Sequence, residues 1–231
     1  RTITREQPNA ACPHQYDNPA DPPAPHKRTG PELWRDTAGK VTHSFVATGT
    51  GVTISGVAKF LKEKNPNVKV VAIVPEGSIL KEYKDTGKYH PEHARSYKVE
   101  GFVEDIIPKA TWFDLIDEFV KVTDKESFDT ARALARQEGI FAGGSAGSAV
   151  AGAMKYIKAH KLGPDAVCVI MLADSGSRYV TKFFSDEWME ENGFLEAADS
   201  VGRLLDAKKG PSEWLSVTRG TTLRHALDTM A

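Results

Sequence analysis

The stretch that most constrains the fold of this chain is Val68–Val74, which reads VKVVAIV. A nearly continuous run of β-branched residues is typical of a parallel strand that is covered on both faces, since a strand with one wet face would alternate polar and apolar residues. Such a strand requires helices above and below its sheet. The sequence therefore predicts a three-layer α/β domain with a mainly parallel, twisted sheet and helices on both faces.

The segments around this strand alternate between strand and helix patterns. Two polar segments, Arg1–Pro31 and Pro75–Gly101, are predicted to be irregular because they are rich in loop-forming residues. Asp124 is predicted to cap the helix that comes directly after it. The remaining predicted elements are strands at Thr42–Ala47, Glu118–Val122 and Val167–Leu172, and helices at Ser55–Lys64, Glu126–Glu138 and Ala146–His160.

Charge and cysteine usage narrow the function classes. The chain has 30 Lys and Arg against 31 Asp and Glu, a net charge of −1. It therefore has no excess of positive charge that would indicate binding to nucleic acid or to a membrane surface. No apolar run approaches the ~18 residues of a membrane span, and no signal peptide is recognisable. The two cysteines, Cys12 and Cys168, match no metal-ligand spacing and are predicted to be reduced thiols. These features predict a cytoplasmic protein without a metal site.

The first of three turns rich in small residues is Gly49–Gly56, GTGVTISG, which follows a predicted strand and opens a helix. Glycines allow close approach of the backbone to an anion, and the N–H groups and dipole at a helix start favour phosphate. The hydroxyls of Thr50 and Thr53 could add hydrogen bonds. The turn is neither a Walker loop nor a GxGxxG fingerprint. Anion binding and a tight packing turn are equally compatible with this stretch alone.

The second turn is Ala142–Ser148, AGGSAGS, in which Ser145 is a predicted N-cap. The turn contains the G-x-S-x-G pattern of a hydrolase nucleophile elbow, which needs an acid and a histidine later in the chain. The only later histidines are His160 and His225, in a charged helix end and in the tail. A hydrolase is therefore disfavoured, and helix capping with close packing is favoured for Ser145.

The third turn, Ala173–Ser177, ends the last predicted strand. Ser175 could form a hydrogen bond to an aromatic nitrogen of a ligand. The alternative is an ordinary turn in which Asp174 caps the next segment of the chain. All three turns are predicted to lie at the carboxyl ends of strands, where open α/β sheets bind ligands.

Taken in order, these turns resemble those of the cystathionine β-synthase and cysteine synthase family, the fold type II pyridoxal-phosphate enzymes. The resemblance runs from about Arg1 to Glu196, and the stretch through Asn192–Leu195 favours the cystathionine β-synthase branch. The motifs that carry it, in family order, are Arg1–Thr4, His14–Pro19, GTGVTISG, Pro75–Ser78, Val99–Gly101, Gln137–Gly139, GGSAG, Asp174-Ser175 and Tyr179–Met189.

The resemblance implies pyridoxal 5′-phosphate as cofactor and assigns roles to matching residues. The implied reaction removes water or another leaving group from a serine-type substrate and adds a thiol such as homocysteine, with the cofactor as electron sink. The implied partners are small amino-acid and thiol substrates and a second copy of the chain, as a homodimer or higher homo-oligomer. The assigned residues are Gly49, Thr50, Gly51, Val52 and Thr53 for the cofactor phosphate, Ser175 for the pyridine nitrogen, and Gln15, Tyr16 and Gly101 for the substrate.

The sequence departs from the family pattern in several places. In the family, the Schiff-base lysine precedes all the segments matched here, so no catalytic residue is assigned. Val52 stands where the family's GTGGT turn has its second glycine. A valine forced to positive φ there would be strained by about 1–2 kcal/mol. Val103 likewise replaces a glycine, and Ala173 a proline.

Three hypotheses are compatible with this sequence. The chain is part of an active enzyme whose N-terminal half is missing, or a degenerate relative with a structural or regulatory role, or a binding module for a phosphorylated small molecule. The first predicts an exposed apolar surface and self-association. The domain prediction is a partial catalytic domain over 1–196, a linker over 197–213, and the beginning of a truncated CBS domain over 214–231.

Overall fold

The computed structural model describes residues 2–103 and 106–195. The described residues up to Met189 belong to one compact unit, and residues 190–195 belong to a second. The predicted linker and CBS-domain segments lie outside the described residues. In the part of the chain that is described, no helix is both long and apolar enough to cross a membrane.

The described residues form four strands and eight α-helices, joined in places by single turns of 3₁₀-helix. The strands are β1 (His43–Ala47), β2 (Lys69–Pro75), β3 (Glu118–Val122) and β4 (Cys168–Ile170). The helices are α1 (Thr2–Glu6), α2 (Pro23–Lys27), α3 (Thr29–Asp36), α4 (Val52–Lys64), α5 (Leu80–Thr86), α6 (Asp124–Ala133), α7 (Gly144–His160) and α8 (Asp186–Glu191).

The sheet has the order β3-β2-β1-β4, and every neighbouring pair is parallel. His43 begins β1 and is in register with Lys69 of β2 on one side and Cys168 of β4 on the other. Because β1 and β4 are adjacent and parallel, the segments that leave their carboxyl ends emerge at the same edge of the sheet.

The two faces of β2 pack against different helices. One face contributes Val70, Ala72 and Val74 to an apolar cluster that contains Ile54 and Ala58 of α4. The other face contributes Val71 and Ile73 to a cluster with Ala151, Ala153 and Tyr156 of α7. The β2 residues in both clusters are fully buried. This arrangement confirms the predicted three-layer α/β fold with helices on both faces of a parallel sheet.

The prediction of irregular structure at Arg1–Pro31 and Pro75–Gly101 is wrong in part. The first segment contains α1, α2 and the start of α3, and the second contains α5. Helix α2 begins with Pro23, whose fixed φ suits a first helical position. Helix α5 is fixed by buried Leu80, and Gly87, which has a φ of +68°, caps its C-terminus. Helices of five to eight residues are too short for apolar periodicity to reveal them.

The predicted cap of α6 is also wrong. Thr123 is the N-cap, and it forms a reciprocal capping box with Glu126. The carboxylate of Asp124 instead accepts hydrogen bonds from the N–H groups of Lys98 and Val99, at 2.8 and 3.0 Å. Asp124 thereby ties the segment before Gly101 to the start of this helix.

Helix α6 is shorter than predicted, and α7 begins earlier. After Ala133 the chain continues as one turn of π-helix, Leu134–Glu138. Helix α7 starts at Gly144 with Gly143 as its N-cap, so the prediction that Ser145 is the cap is wrong. Ser145 lies in the first turn of the helix.

Candidate functional site

The GTGVTISG turn joins β1 directly to α4. Gly51 is the N-cap of this helix and has φ +80° and ψ −7°, whereas Val52 is its first residue. Val52 is absent from the described non-glycine residues with positive φ, which are His14, Ala38 and Lys161. The left-handed conformation therefore falls on Gly51. Since Val52 adopts a helical backbone, the strain considered for it does not arise.

The start of α4 presents a set of hydrogen-bond donors. The Ser55 N–H donates to the Gly51 carbonyl at 3.0 Å, while the N–H groups before it precede the helical bonding pattern. The Val52 N–H donates to Thr50 Oγ1 at 3.3 Å, which leaves the Thr50 hydroxyl proton free to donate elsewhere. Thr53 is exposed in the first turn. With a 13-residue helix behind it, this donor set suits a phosphate group.

The glycines of this turn are also needed for packing. A Cβ on Gly49 would lie 2.2 Å from the carbonyl oxygen of Gly101, and one on Gly51 would lie 1.9 Å from Thr111 Oγ1. Thr111 is buried, and its hydroxyl donates to the Thr50 carbonyl at 3.4 Å. Packing and anion binding are therefore compatible in one turn, because the glycines face the protein while the helix start presents N–H groups.

Gly101, a predicted substrate residue, lies between the first and second turns. It has a φ of +98°, and a Cβ built on it would come 3.9 Å from Ser145 Cβ. Its neighbour Glu100 forms an ion pair with Lys182, just after the third turn. Gly101 thus contacts the first turn through its carbonyl group and faces the second turn through its Cα.

The second and third turns pair with each other through the backbone. The Gly143 N–H donates to the Asp174 carbonyl, and the Gly176 N–H donates to the Phe141 carbonyl, both at 3.0 Å. Between these bonds, Ala142 and Ser175 form an isolated antiparallel bridge. The second turn therefore follows this bridge and not a strand of the parallel sheet. The prediction that all three turns end sheet strands is wrong for this one.

Ser175 occupies the exposed end of the third turn. Its hydroxyl oxygen accepts the Ser177 N–H at 3.3 Å and caps the 3₁₀ turn Gly176–Tyr179. Ser175, and not Asp174, is therefore the capping residue here. Because the oxygen accepts this bond, the hydroxyl proton remains available to a ligand acceptor.

Asp174 forms a buried contact that the sequence did not reveal. Its Oδ2 accepts a hydrogen bond from the Tyr179 hydroxyl at 2.7 Å, while its buried Oδ1 has no hydrogen-bond partner. Burial and the adjacent Asp174 carboxylate raise the pKa of Tyr179 far above its usual value. A Cβ on Gly143 would lie 2.0 Å from Oδ1, so the carboxylate packs directly on the second turn.

The other two predicted substrate residues lie on the N-terminal segment. Gln15 and Tyr16 are exposed and line a cavity of about 480 Å³ whose lining also includes Ile106 and Ile107. The Tyr16 carbonyl accepts the Ala110 N–H at 3.1 Å. Since Ala110 precedes Thr111, this bond connects the segment to the residue that packs on Gly51.

Comparison with known proteins adds sequence-wide evidence. A family model described as pyridoxal-phosphate dependent enzyme matches residues 1–174. Similar curated proteins include cystathionine beta-synthase of Apis mellifera, 40% identical over 194 residues, which are 84% of this chain and 37% of that protein. The protein of the same name from Dictyostelium discoideum is 40% identical over 196 residues, 85% of this chain and 38% of the relative. The protein of the same name from Saccharomyces cerevisiae is 36% identical over 215 residues, which are 90% of this chain and 41% of that protein. The chain thus spans about two fifths of the length of these relatives.

Proposed function

The chain belongs to the family of pyridoxal-phosphate dependent enzymes, and we propose that it carries the phosphate and ring contacts of a cystathionine β-synthase-type active site. The cofactor of the family is pyridoxal 5′-phosphate. The proposed reaction replaces the β-substituent of a serine-type amino acid by a thiol such as homocysteine, giving cystathionine. Three relatives that align with 84–90% of this chain are named cystathionine beta-synthase, which supports this choice over a cysteine synthase.

The observation that carries the proposal is that the three turns lie close together, with Gly101 between the first and the second. Gly49 packs on Gly101, Gly101 faces Ser145, and Gly143 packs on Asp174, the neighbour of Ser175. The first and third turns also leave adjacent parallel strands, β1 and β4, at the same edge of the sheet. A ligand with a phosphate at one end and a ring nitrogen at the other would suit these turns.

Each proposed cofactor residue has a distinct task. Thr50, Thr53 and the N–H groups at the start of α4 would hold the phosphate through hydrogen bonds and the helix dipole. The Ser175 hydroxyl would donate to the pyridine nitrogen while its oxygen keeps the Ser177 N–H bond. A neutral hydroxyl positions the ring without placing a positive charge on it. When bound, the cofactor supplies an electron sink for loss of the β-substituent.

On the substrate side, Gly101 would leave room beside Ser145, and Gln15 and Tyr16 would lie near the amino-acid substrate. No catalytic lysine is proposed among these residues. Lys98 has a serine two positions before it, as the family's cofactor lysine does, but it follows the phosphate turn in the chain and does not precede it. We therefore propose that this chain binds the cofactor without attaching it covalently and is inactive alone.

The decisive experiment is a spectroscopic titration of the tag-free chain with pyridoxal phosphate, followed by borohydride reduction and peptide mapping. We expect saturable binding, no lysine trapped in a defined position, and weaker binding by Ser175→Ala. The matched control is Ser177→Ala, which keeps the backbone N–H that Ser175 accepts. Reduction that traps one lysine, such as Lys98, would refute the non-covalent proposal. No saturable binding would refute the cofactor site and favour a degenerate relative with a structural or regulatory role.

We further propose that the protein acts in the cytoplasm and forms homodimers or higher homo-oligomers, with a CBS domain beginning near residue 214. The near-neutral charge balance and the two unpaired cysteines support the location. Sedimentation equilibrium of the chain tests the association, and a monomer at all concentrations would contradict it.

A further inference from the structure

A cluster of imidazole and carboxylate groups lies away from the three turns, in the segment that follows α5. His90 precedes and His93 ends a single turn of 3₁₀-helix, Pro91–His93. The two imidazole rings stack with centroids 4.9 Å apart and planes 21° from parallel. One ligand atom from each of His90, Glu92 and His93 lies within 4.8 Å of the others.

A fourth residue, Glu82 of α5, orients one of these rings. Both oxygens of its carboxylate lie 2.9 Å from His93 Nδ1, which must donate because a carboxylate only accepts. Donation from Nδ1 leaves the Nε2 lone pair of His93 available to a ligand. In metal-bound histidines, a carboxylate usually accepts a hydrogen bond from one ring nitrogen while the other nitrogen binds the metal.

His90 and Glu92 lie slightly closer together than two ligands of one ion. His90 Nδ1 lies 3.0 Å from Glu92 Oε1. Tetrahedral ligands at 2.0–2.1 Å from a zinc ion are roughly 3.3 Å apart, so these two atoms would need to separate by only about 0.3 Å to bind one ion. The side chain of Glu92 is 64% exposed, so its carboxylate is accessible to an ion from solution.

The backbone of this segment is held in place independently of these side chains. The Arg95 N–H donates to the Gly77 carbonyl at 2.9 Å, and a Cβ on Gly77 would lie 1.9 Å from the Arg95 carbonyl oxygen. The Arg95 guanidinium also donates to the carbonyl groups of Glu92 and Ala94. The candidate ligands thus project from a fixed turn, which limits the entropy lost when they gather around an ion.

From this geometry we propose that His90, Glu92 and His93 form a surface site for a divalent transition-metal ion of the zinc class, with Glu82 as the residue that positions His93. Two imidazole nitrogens and one carboxylate oxygen suit Zn²⁺ and leave a coordination position for water. The carboxylates of Glu82 and Glu92 balance the two charges of the ion. The site joins α5 to the segment that leads to Gly101, so the ion stabilises this segment.

The test uses the tag-free 231-residue chain after removal of metal with a chelator. Zn²⁺ is titrated by calorimetry, and Co²⁺ by its visible absorbance, whose intensity reports coordination by protein ligands. We expect one equivalent of each ion to bind and the melting temperature to rise with Zn²⁺. His93→Asn is expected to abolish this binding. Glu82→Gln is expected to weaken it about 10- to 100-fold, the loss typical for an outer contact of a metal ligand.

The matched control is His160→Gln. His160 is another exposed histidine, paired with the Glu118 carboxylate at 3.3 Å, and is not among the three grouped side chains. The His160→Gln variant should bind Zn²⁺ and Co²⁺ with the same affinity as the unmodified chain. The proposal is overturned if the unmodified chain binds no stoichiometric ion, or if His93→Asn and His160→Gln bind with the same affinity. Melting curves in chelator show whether each variant is folded, and His90→Asn gives a second ligand test.

Discussion

Replacing Gly49 by alanine should destabilise the fold by about 2 kcal/mol, because the new Cβ would meet backbone. The nearest atom is the Gly101 carbonyl oxygen at 2.2 Å, about 1 Å closer than an ordinary contact. Overpacking of this kind costs roughly 1–3 kcal/mol, and the upper part of that range applies because a carbonyl group cannot rotate away as a side chain does. The lower chain entropy of alanine in the unfolded state offsets about 0.4–1 kcal/mol.

Gly163→Ala supplies the matched control for Gly49→Ala. Neither glycine has a positive φ, and nothing lies within 4 Å of a Cβ on Gly163. Alanine there keeps the entropic gain without the clash, so its stability should equal or exceed that of the unmodified chain. Urea unfolding followed by circular dichroism measures both variants. If Gly49→Ala is as stable as Gly163→Ala within about 0.5 kcal/mol, the close approach of Gly49 to Gly101 does not exclude a Cβ, and the prediction is refuted.

Three further predictions concern the rest of the fold. Val52→Gly should not stabilise the protein, because Val52 already has a helical backbone; urea unfolding that shows a gain of about 1 kcal/mol or more would mean that valine is strained there after all. Thr123→Ala should cost about 1 kcal/mol in the same assay through loss of the capping box, and an unchanged free energy of unfolding would count against that role. Burial raises the pKa of Asp117, but hydrogen bonds from Lys62 Nζ at 2.7 Å and the Val70 N–H at 2.8 Å outweigh it, so the pKa lies below its usual value. Asp117→Asn should therefore cost about 1–2 kcal/mol at pH 7, and the difference should shrink as the pH falls below about 5 toward the native pKa; a difference that stays constant on acidification would contradict the assignment.

The sheet was predictable because its strands are encoded by local composition. Strand β2 has no polar face, so its apolar run marked it as central and required helices on both sides. Helices α4 and α7 are long enough for apolar periodicity to appear. Helix α5 and the 3₁₀ turns were not predictable in this way, since one or two turns of helix depend on single contacts such as the burial of Leu80.

Some errors had a signal that the sequence did contain. Thr123 and Glu126 have the spacing of a capping box, which is a stronger N-terminal signature than an isolated aspartate. Other features had no local signal. Thr111 packs on Gly51 from 60 positions away, and the bond between Asp174 and Tyr179 depends on the 3₁₀ turn between them. Contacts of this kind are decided by tertiary structure, so the motifs predicted the turns but not the residues that support them.

The glycine pattern of the first turn shows why single motif positions are poor guides to function. The comparison with the family pattern predicted backbone strain at Val52. In the structure, Gly51 has the left-handed backbone, and Gly49 is the residue that approaches Gly101 closely. A valine at the first helical position keeps the helix start and its N–H groups. Val52 therefore adds a side chain beside the proposed phosphate. The backbone that would bind the phosphate keeps its position. The loss of a family glycine is consequently weak evidence for a degenerate protein, and cofactor binding must be measured directly.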